Sequence, residues 1–85
     1  MQRQLPAITG RQLVRLLKLD GWVEVRNAQH GVWLSKQTRS GQRFTTVKDT
    51  REAIPTRVLG QILGPKQTGL TRAGLGRLIE RHGPR

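Results

Sequence analysis

The sequence predicts an α+β fold in which helices cover one face of a three-stranded antiparallel sheet, in the order α-β-β-β-α plus a C-terminal helix. Three observations predict it: a helical apolar period over residues 10–20, alternation of period two within residues 22–47, and two helical stretches after Pro55. The chain has 85 residues, the size of one domain. We therefore expect a single domain over residues 1–85, with residues 1–8 as a lead-in.

The first helix is predicted to begin near residue 10. Thr9 and Gln12 have the spacing of a capping box, and Ile8 and Leu13 have that of a hydrophobic staple. Gly21 is suited to ending the helix. We expect the apolar stripe of this helix to face the core, because its leucines recur at helical spacing.

Three strands are predicted to follow, at residues 22–26, 32–36 and 43–47. In the first of them, Val23 and Val25 alternate with polar residues, so we expect both valines to point into the core. The segments between the strands are rich in Asn, Gln, Ser and Gly, which favour turns. The three strands should therefore form an antiparallel meander.

Two helices are predicted in the second half of the chain. Pro55 suits the first position of a short helix with Val58, Leu59, Ile62 and Leu63 on one side. The last helix opens at Leu70 and Thr71, where Thr71 can cap and Leu70 can contact Leu75, and Gly83 ends it. Residues 69–85 are interpreted as a C-terminal extension.

Charge is the strongest compositional signal. The net charge is +11, from 16 Lys plus Arg against five Asp plus Glu, and 12 of the 16 cations are arginine. Arginine can grip phosphate with two hydrogen bonds, so this balance favours nucleic acid as a partner. No apolar run exceeds three residues, which argues against a membrane partner. The absence of cysteine is compatible with a reducing cytoplasm, where we expect the protein to act.

His30 is the candidate catalytic residue, in a chain with two histidines, no cysteine and no tyrosine. Its imidazole can remove the proton of a ribose 2′-hydroxyl, which requires no metal and no cofactor. Gly31 would let RNA approach the backbone closely, and Arg26, Lys36 and Arg43 would bind its phosphate. The alternative is a turn histidine that only hydrogen bonds a backbone carbonyl.

The position of Trp33 depends on the strand register. If Val32 and Leu34 face the core, Trp33 faces away from the helices, where it can stack on a base or anchor a protein partner. In the opposite register Trp33 belongs to the core. The sequence alone leaves both registers open.

No metal site is predicted. Asp49 and Glu52 lie three residues apart and have the chemistry to bind Mg²⁺, but a two-metal nuclease needs more carboxylates than this chain can cluster. We expect both carboxylates to be solvated. His82, near the end of the last helix, is expected to have no catalytic role.

Four parts of the chain carry a family resemblance: residues 16–26, His30, residues 45–47 and residues 55–63. With them, the chain from about Thr9 to Leu75 resembles the HicA family of toxin–antitoxin mRNA interferases. The resemblance implies a fold like that of double-stranded RNA-binding domains and a metal-independent endoribonuclease activity. It also implies a HicB-type antitoxin that covers the active site.

The catalytic histidine of that family carries over to His30. The turn here reads Ala28-Gln29-His30-Gly31, whereas many members have Gly-Ser before the histidine. We expect a cytoplasmic toxin that cleaves mRNA, with no small-molecule substrate. The alternative is a non-catalytic RNA-binding module of the same fold, for which phosphate and 2′-hydroxyl contacts suffice.

Overall fold

The computed structural model describes residues 7–29 and 31–83, so His30 lies outside the described residues. Its elements are α1 (Gly10–Leu19), β1 (Val23–Ala28), β2 (Gly31–Thr38), β3 (Gly41–Val47), α2 (Thr56–Ile62) and α3 (Thr71–His82). The sheet is antiparallel in the order β1-β2-β3. The predicted α+β fold and the predicted order of elements are confirmed.

One face of the sheet is covered by the helices. Val32, Leu34 and Val47 are almost fully buried on this side, and directly paired residues on neighbouring strands share a face. The helices contribute most of the other core residues, which include Leu13, Leu16, Leu17, Leu59, Ile62, Leu75 and Leu78. Burial of this apolar surface is the main contribution to the stability of the domain.

The start of α1 follows the sequence prediction closely. The Thr9 hydroxyl accepts a hydrogen bond from the Gln12 backbone amide at 3.1 Å, and the Gln12 side chain accepts one from the Thr9 amide at 2.9 Å. This is the predicted capping box. Gly10 is buried against the segment after β3, where a Cβ would overlap the Lys48 carbonyl oxygen. Only glycine therefore lets α1 approach this segment so closely.

Val23 and Val25 are not in the core, so this prediction is wrong. Their exposed fractions are 61% and 53%. Trp22, which precedes the strand and is 3% exposed, contributes the buried apolar side chain of this segment instead. β1 is an edge strand of the sheet, and its residues have little buried surface.

The reason is the register of β1. Val23 pairs with Ser35, which alternates with the core residue Leu34, so Val23 lies on the side away from the helices, and Val25 two residues further is exposed as well.

A β-bulge follows in the same strand. Glu24 pairs with Leu34 and Arg26 pairs with Trp33, so Val25 between them has no partner on β2. The extra residue changes the alternation of the strand. Glu24 therefore shares the helix-covered side with Leu34, and Arg26 shares the opposite side with Trp33.

The last two helices are where they were predicted, with one difference in orientation. Val58 is exposed although it was expected on the buried side of α2. At the start of α3, the Thr71 hydroxyl accepts a hydrogen bond from the Gly74 amide at 3.2 Å, and Leu75 is fully buried. The described part of residues 69–85 therefore contributes Leu75 and Leu78 to the core, and α3 packs against α1.

Candidate functional site

The hairpin between β1 and β2 ends in a short turn. Ala28 pairs with Gly31, so only Gln29 and His30 connect the two strands. His30, the predicted catalytic residue, lies outside the described residues. Because it is bonded to Gln29 and Gly31, the candidate catalytic site is expected at the end of the hairpin.

Gly31 has a structural reason to be glycine. Its φ angle is +149°, and a Cβ would lie 3.0 Å from both the Thr46 methyl group and the Val47 carbonyl oxygen. The side on which a Cβ would point is therefore occupied by β3. Direct contact of Gly31 with RNA stays a prediction, but the packing of β2 against β3 already explains the residue.

A groove of about 310 Å³ begins at the same residues of β3. It is lined by Thr46, Val47, Lys48, Thr50, Glu52, Ala53, Ile54, Pro55, Val58 and Ile62. Lys48 supplies one cation, Glu52 one carboxylate and two threonines hydroxyl groups, and the other lining residues are apolar. Because Thr46 and Val47 border Gly31, the groove lies beside the hairpin end. The one signal for this groove in the sequence is the apolar Val58, which is predicted to share one side of the short helix with Leu59 and Ile62.

The predicted phosphate-binding cations lie on two faces. Arg26 is exposed on the side of the sheet away from the helices. Lys36 and Arg43 pair with each other across β2 and β3 on the helix-covered side. The structure therefore brings Lys36 and Arg43 together but separates them from Arg26.

Lys36 and Arg43 are also engaged by the protein. Lys36 Nζ lies 3.2 Å from Asp20 Oδ2, at the end of α1. Arg43 Nη1 donates to the carbonyl oxygens of Pro65 at 2.6 Å and Gln67 at 3.2 Å. These contacts give both cations a structural role, and their contact with RNA stays a prediction.

The loop between α2 and α3 is fastened to β3 by two side chains. Besides the Arg43 contacts, the Thr45 hydroxyl donates to Gln67 Oε1 at 2.7 Å. Gly69 lies against the Arg43 guanidinium, since a Cβ at this position would be 3.2 Å from Arg43 Nη1. Sequence reasoning missed this role because the partners lie more than 20 residues away along the chain.

Trp33 faces away from the helices, which confirms one of the two registers considered. Its exposed fraction is 43%, and that of Phe44 on the next strand is 50%. Both line a shallow groove of about 470 Å³ together with Val25 and Arg26. Phe44 was not singled out from the sequence, although its alternation with Arg43 and Thr45 was a usable signal.

The carboxylates are dispersed. Asp49 pairs with Arg11 at 3.5 Å, while Glu52 lines the groove beside the hairpin end. Among residues 7–29 and 31–83, no group of three or more His, Cys, Asp or Glu side chains is arranged to hold a metal ion.

Within the described part of the chain, no helix is long and apolar enough to cross a membrane. Comparison with protein-family models, with curated proteins and with solved structures finds no match for this chain.

Proposed function

We propose that the protein is the toxin of a type II toxin–antitoxin system, a metal-independent endoribonuclease that cleaves mRNA with His30 as general base. The observation that carries the proposal is the groove with Lys48 at the hairpin end to which His30 is bonded. The net charge of +11 supports a polyanionic substrate. The resemblance to the HicA family supports the choice of RNA and of His30.

The chemistry needs few groups. The imidazole of His30 removes the proton of a ribose 2′-hydroxyl, and the resulting oxygen attacks the adjacent phosphorus. The bond from phosphorus to the 5′-oxygen breaks, the 5′-oxygen takes a proton from water, and a 2′,3′-cyclic phosphate remains. Lys48, in the adjacent groove, offsets the charge that develops on the phosphate oxygens.

A second candidate function is a non-catalytic RNA-binding module of the same fold. The positions of the cations favour it, because Arg26 lies on a different face from Lys36 and Arg43. The latter two are held by Asp20 and by loop carbonyls. If the protein does cleave RNA, the step uses His30 and Lys48 rather than the cations predicted from the sequence.

Cleavage assays with two histidine variants separate these functions. His30→Ala should lose RNA cleavage but keep RNA binding, because it removes the base and leaves the cations in place. His82→Ala is the matched control, since His82 is the last residue of α3, and it should keep both activities. Equal cleavage by His30→Ala and wild type contradicts the catalytic proposal. Binding without cleavage in all three proteins supports the binding module.

The proposed partner is an acidic antitoxin of the HicB type, acting in the cytoplasm. A protein with this excess of positive charge attracts an acidic partner over long range, so association should be fast and sensitive to salt. Co-purification of the toxin with the product of a neighbouring gene that encodes a small acidic protein tests this part of the proposal.

A further inference from the structure

We propose that the open face of the sheet, defined by Val23, Val25, Arg26, Trp33 and Phe44, binds single-stranded RNA by base stacking. Bases stack on Trp33 and Phe44, and Arg26 binds a backbone phosphate. The inference rests on the proposed action on RNA, but it concerns binding and is independent of the catalytic step at His30.

The register places the two aromatic rings side by side. Trp33 on β2 pairs with Thr46 on β3. Phe44 lies two residues before Thr46 on β3 and pairs with Ser35 on β2. Trp33 and Phe44 are therefore diagonal neighbours on one face, roughly 7–8 Å apart at their backbones. Both line the same shallow groove. Two rings in this arrangement offer stacking surfaces to neighbouring nucleotides of one strand.

The use of aromatic residues on this surface needs an explanation. The chain has three aromatic residues, and only Trp22 is buried. Aromatic side chains stabilise a small domain most when they are buried, and this domain leaves two of its three on the surface. Contiguous exposed apolar groups of this kind mark binding sites.

The bulge in β1 adds a cation to the same face. Regular alternation after Glu24 would place Arg26 on the helix-covered side, whereas the extra residue Val25 places it opposite Trp33. Arg26 has no ion-pair partner among the described residues. Its guanidinium is therefore available for a phosphate beside the stacked bases.

No carboxylate of residues 7–29 or 31–83 lies on the open face. The five acidic residues are elsewhere: Asp20 beside Lys36, Glu24 beside Lys18, Asp49 beside Arg11, Glu52 in the groove next to α2, and Glu80 on α3. A polyanion therefore meets no negative charge on this face. Two copies of a chain with net charge +11 repel each other, which disfavours self-association through this face.

RNA fits the face better than an acidic protein does. A partner recognised through its carboxylates needs several cations, and among the described residues this face has Arg26 as its single charged group. Stacking needs flat aromatic surfaces, and the face has two. Docking of an acidic protein on Trp33 is the alternative outcome of the test.

The test measures binding in a His30→Ala background, where the RNA stays intact. The probe is a fluorescently labelled oligouridylate of about ten nucleotides, which is within the usual site size. Trp33→Leu and Phe44→Leu keep an apolar side chain but remove the ring, and each should weaken binding about tenfold. Trp33→Phe should restore most of the affinity. Leu19→Ala, at a residue 48% exposed at the end of α1, is the matched control and should bind like the parent.

Circular dichroism and thermal melting of each variant verify folding, which should be preserved because the changed side chains are exposed. An RNA duplex of the same sequence length should bind equally well to the parent and to both leucine variants. Loss of affinity for single strands alone supports stacking on the open face.

Three outcomes separate this inference from the proposed function. If the leucine variants bind the oligouridylate like the parent while the wild type cleaves RNA, the open-face inference is overturned and the proposed function stands. If stacking-dependent binding is found without cleavage, the inference stands and the catalytic proposal fails. If the variants lose only an acidic protein partner, the face is a protein-docking site and the inference is overturned.

Discussion

Lys36 and Arg43 lie directly opposite each other on β2 and β3, yet each binds a different neighbouring element. Lys36 Nζ contacts Asp20 at the end of α1, and Arg43 donates to Pro65 in the loop after α2. Like charges directly opposite on a sheet are destabilising. Here the two separate contacts offset that repulsion and attach α1 and the loop to the sheet.

The first prediction concerns the stability of this attachment. Arg43→Ala should lower the free energy of unfolding by about 1–2 kcal/mol, because the Pro65 and Gln67 carbonyls lose their charged donor. Urea denaturation measures the change. Arg26→Ala is the control, and as an exposed residue it should change stability by less than about 0.5 kcal/mol. If Arg43→Ala is as stable as Arg26→Ala, the Arg43 contacts contribute little to folding.

The second prediction concerns metal ions. RNA cleavage should continue in EDTA, because an imidazole base and a 2′-hydroxyl nucleophile require no metal. The product should carry a 2′,3′-cyclic phosphate or its hydrolysis product, which mass spectrometry identifies. Activity that is lost in EDTA and restored by Mg²⁺ points instead to a metal-activated water.

The third prediction concerns the substrate. An RNA with deoxyribose at the scissile position should bind but not be cut there, because the attacking 2′-hydroxyl is missing. Gel electrophoresis of the cleavage products, with the all-ribose RNA as control, tests it. Cutting at the substituted position contradicts attack by the 2′-hydroxyl.

The fourth prediction concerns the salt dependence of RNA binding. Arg26→Ala should reduce the slope of log affinity against log salt by about 0.7 to 1 unit, as expected for the loss of one phosphate contact. The sequence alone predicts the same for Arg43. The structure predicts an unchanged slope for Arg43→Ala, because this guanidinium binds loop carbonyls. Titrations at several salt concentrations, at a temperature where both variants are folded, distinguish the two expectations.

The parts of the fold that were predictable depend on short-range signals. The capping box of Thr9 and Gln12 is complete within four residues, and it correctly located α1. Val23 pairs with Ser35 rather than with Leu34, so β1 turns its valines away from the helices, and alternation within β1 does not reveal this register. Strand register is a property of two segments together, and one segment does not reveal it.

The same distinction applies to the candidate site. Composition predicted a cationic protein, but it carries no information about which face each cation occupies. Lys36 lies 16 residues from Asp20 along the chain, and Arg43 lies 22 residues from Pro65. Contacts at such separations follow from the tertiary fold. For Trp33 the sequence left both registers open, and the burial of Val32 and Leu34 in the structure decides between them.

The bulge in β1 also bears on the tendency of the protein to aggregate. β1 is an edge strand, and an edge next to exposed apolar side chains can template the addition of a strand from another molecule. A bulge interrupts the regular spacing of backbone donors and acceptors and increases the local twist. We therefore expect Val25 to protect the edge against aggregation while the face beside it stays exposed. Deleting this one residue would leave a continuous edge ladder that is open to intermolecular pairing.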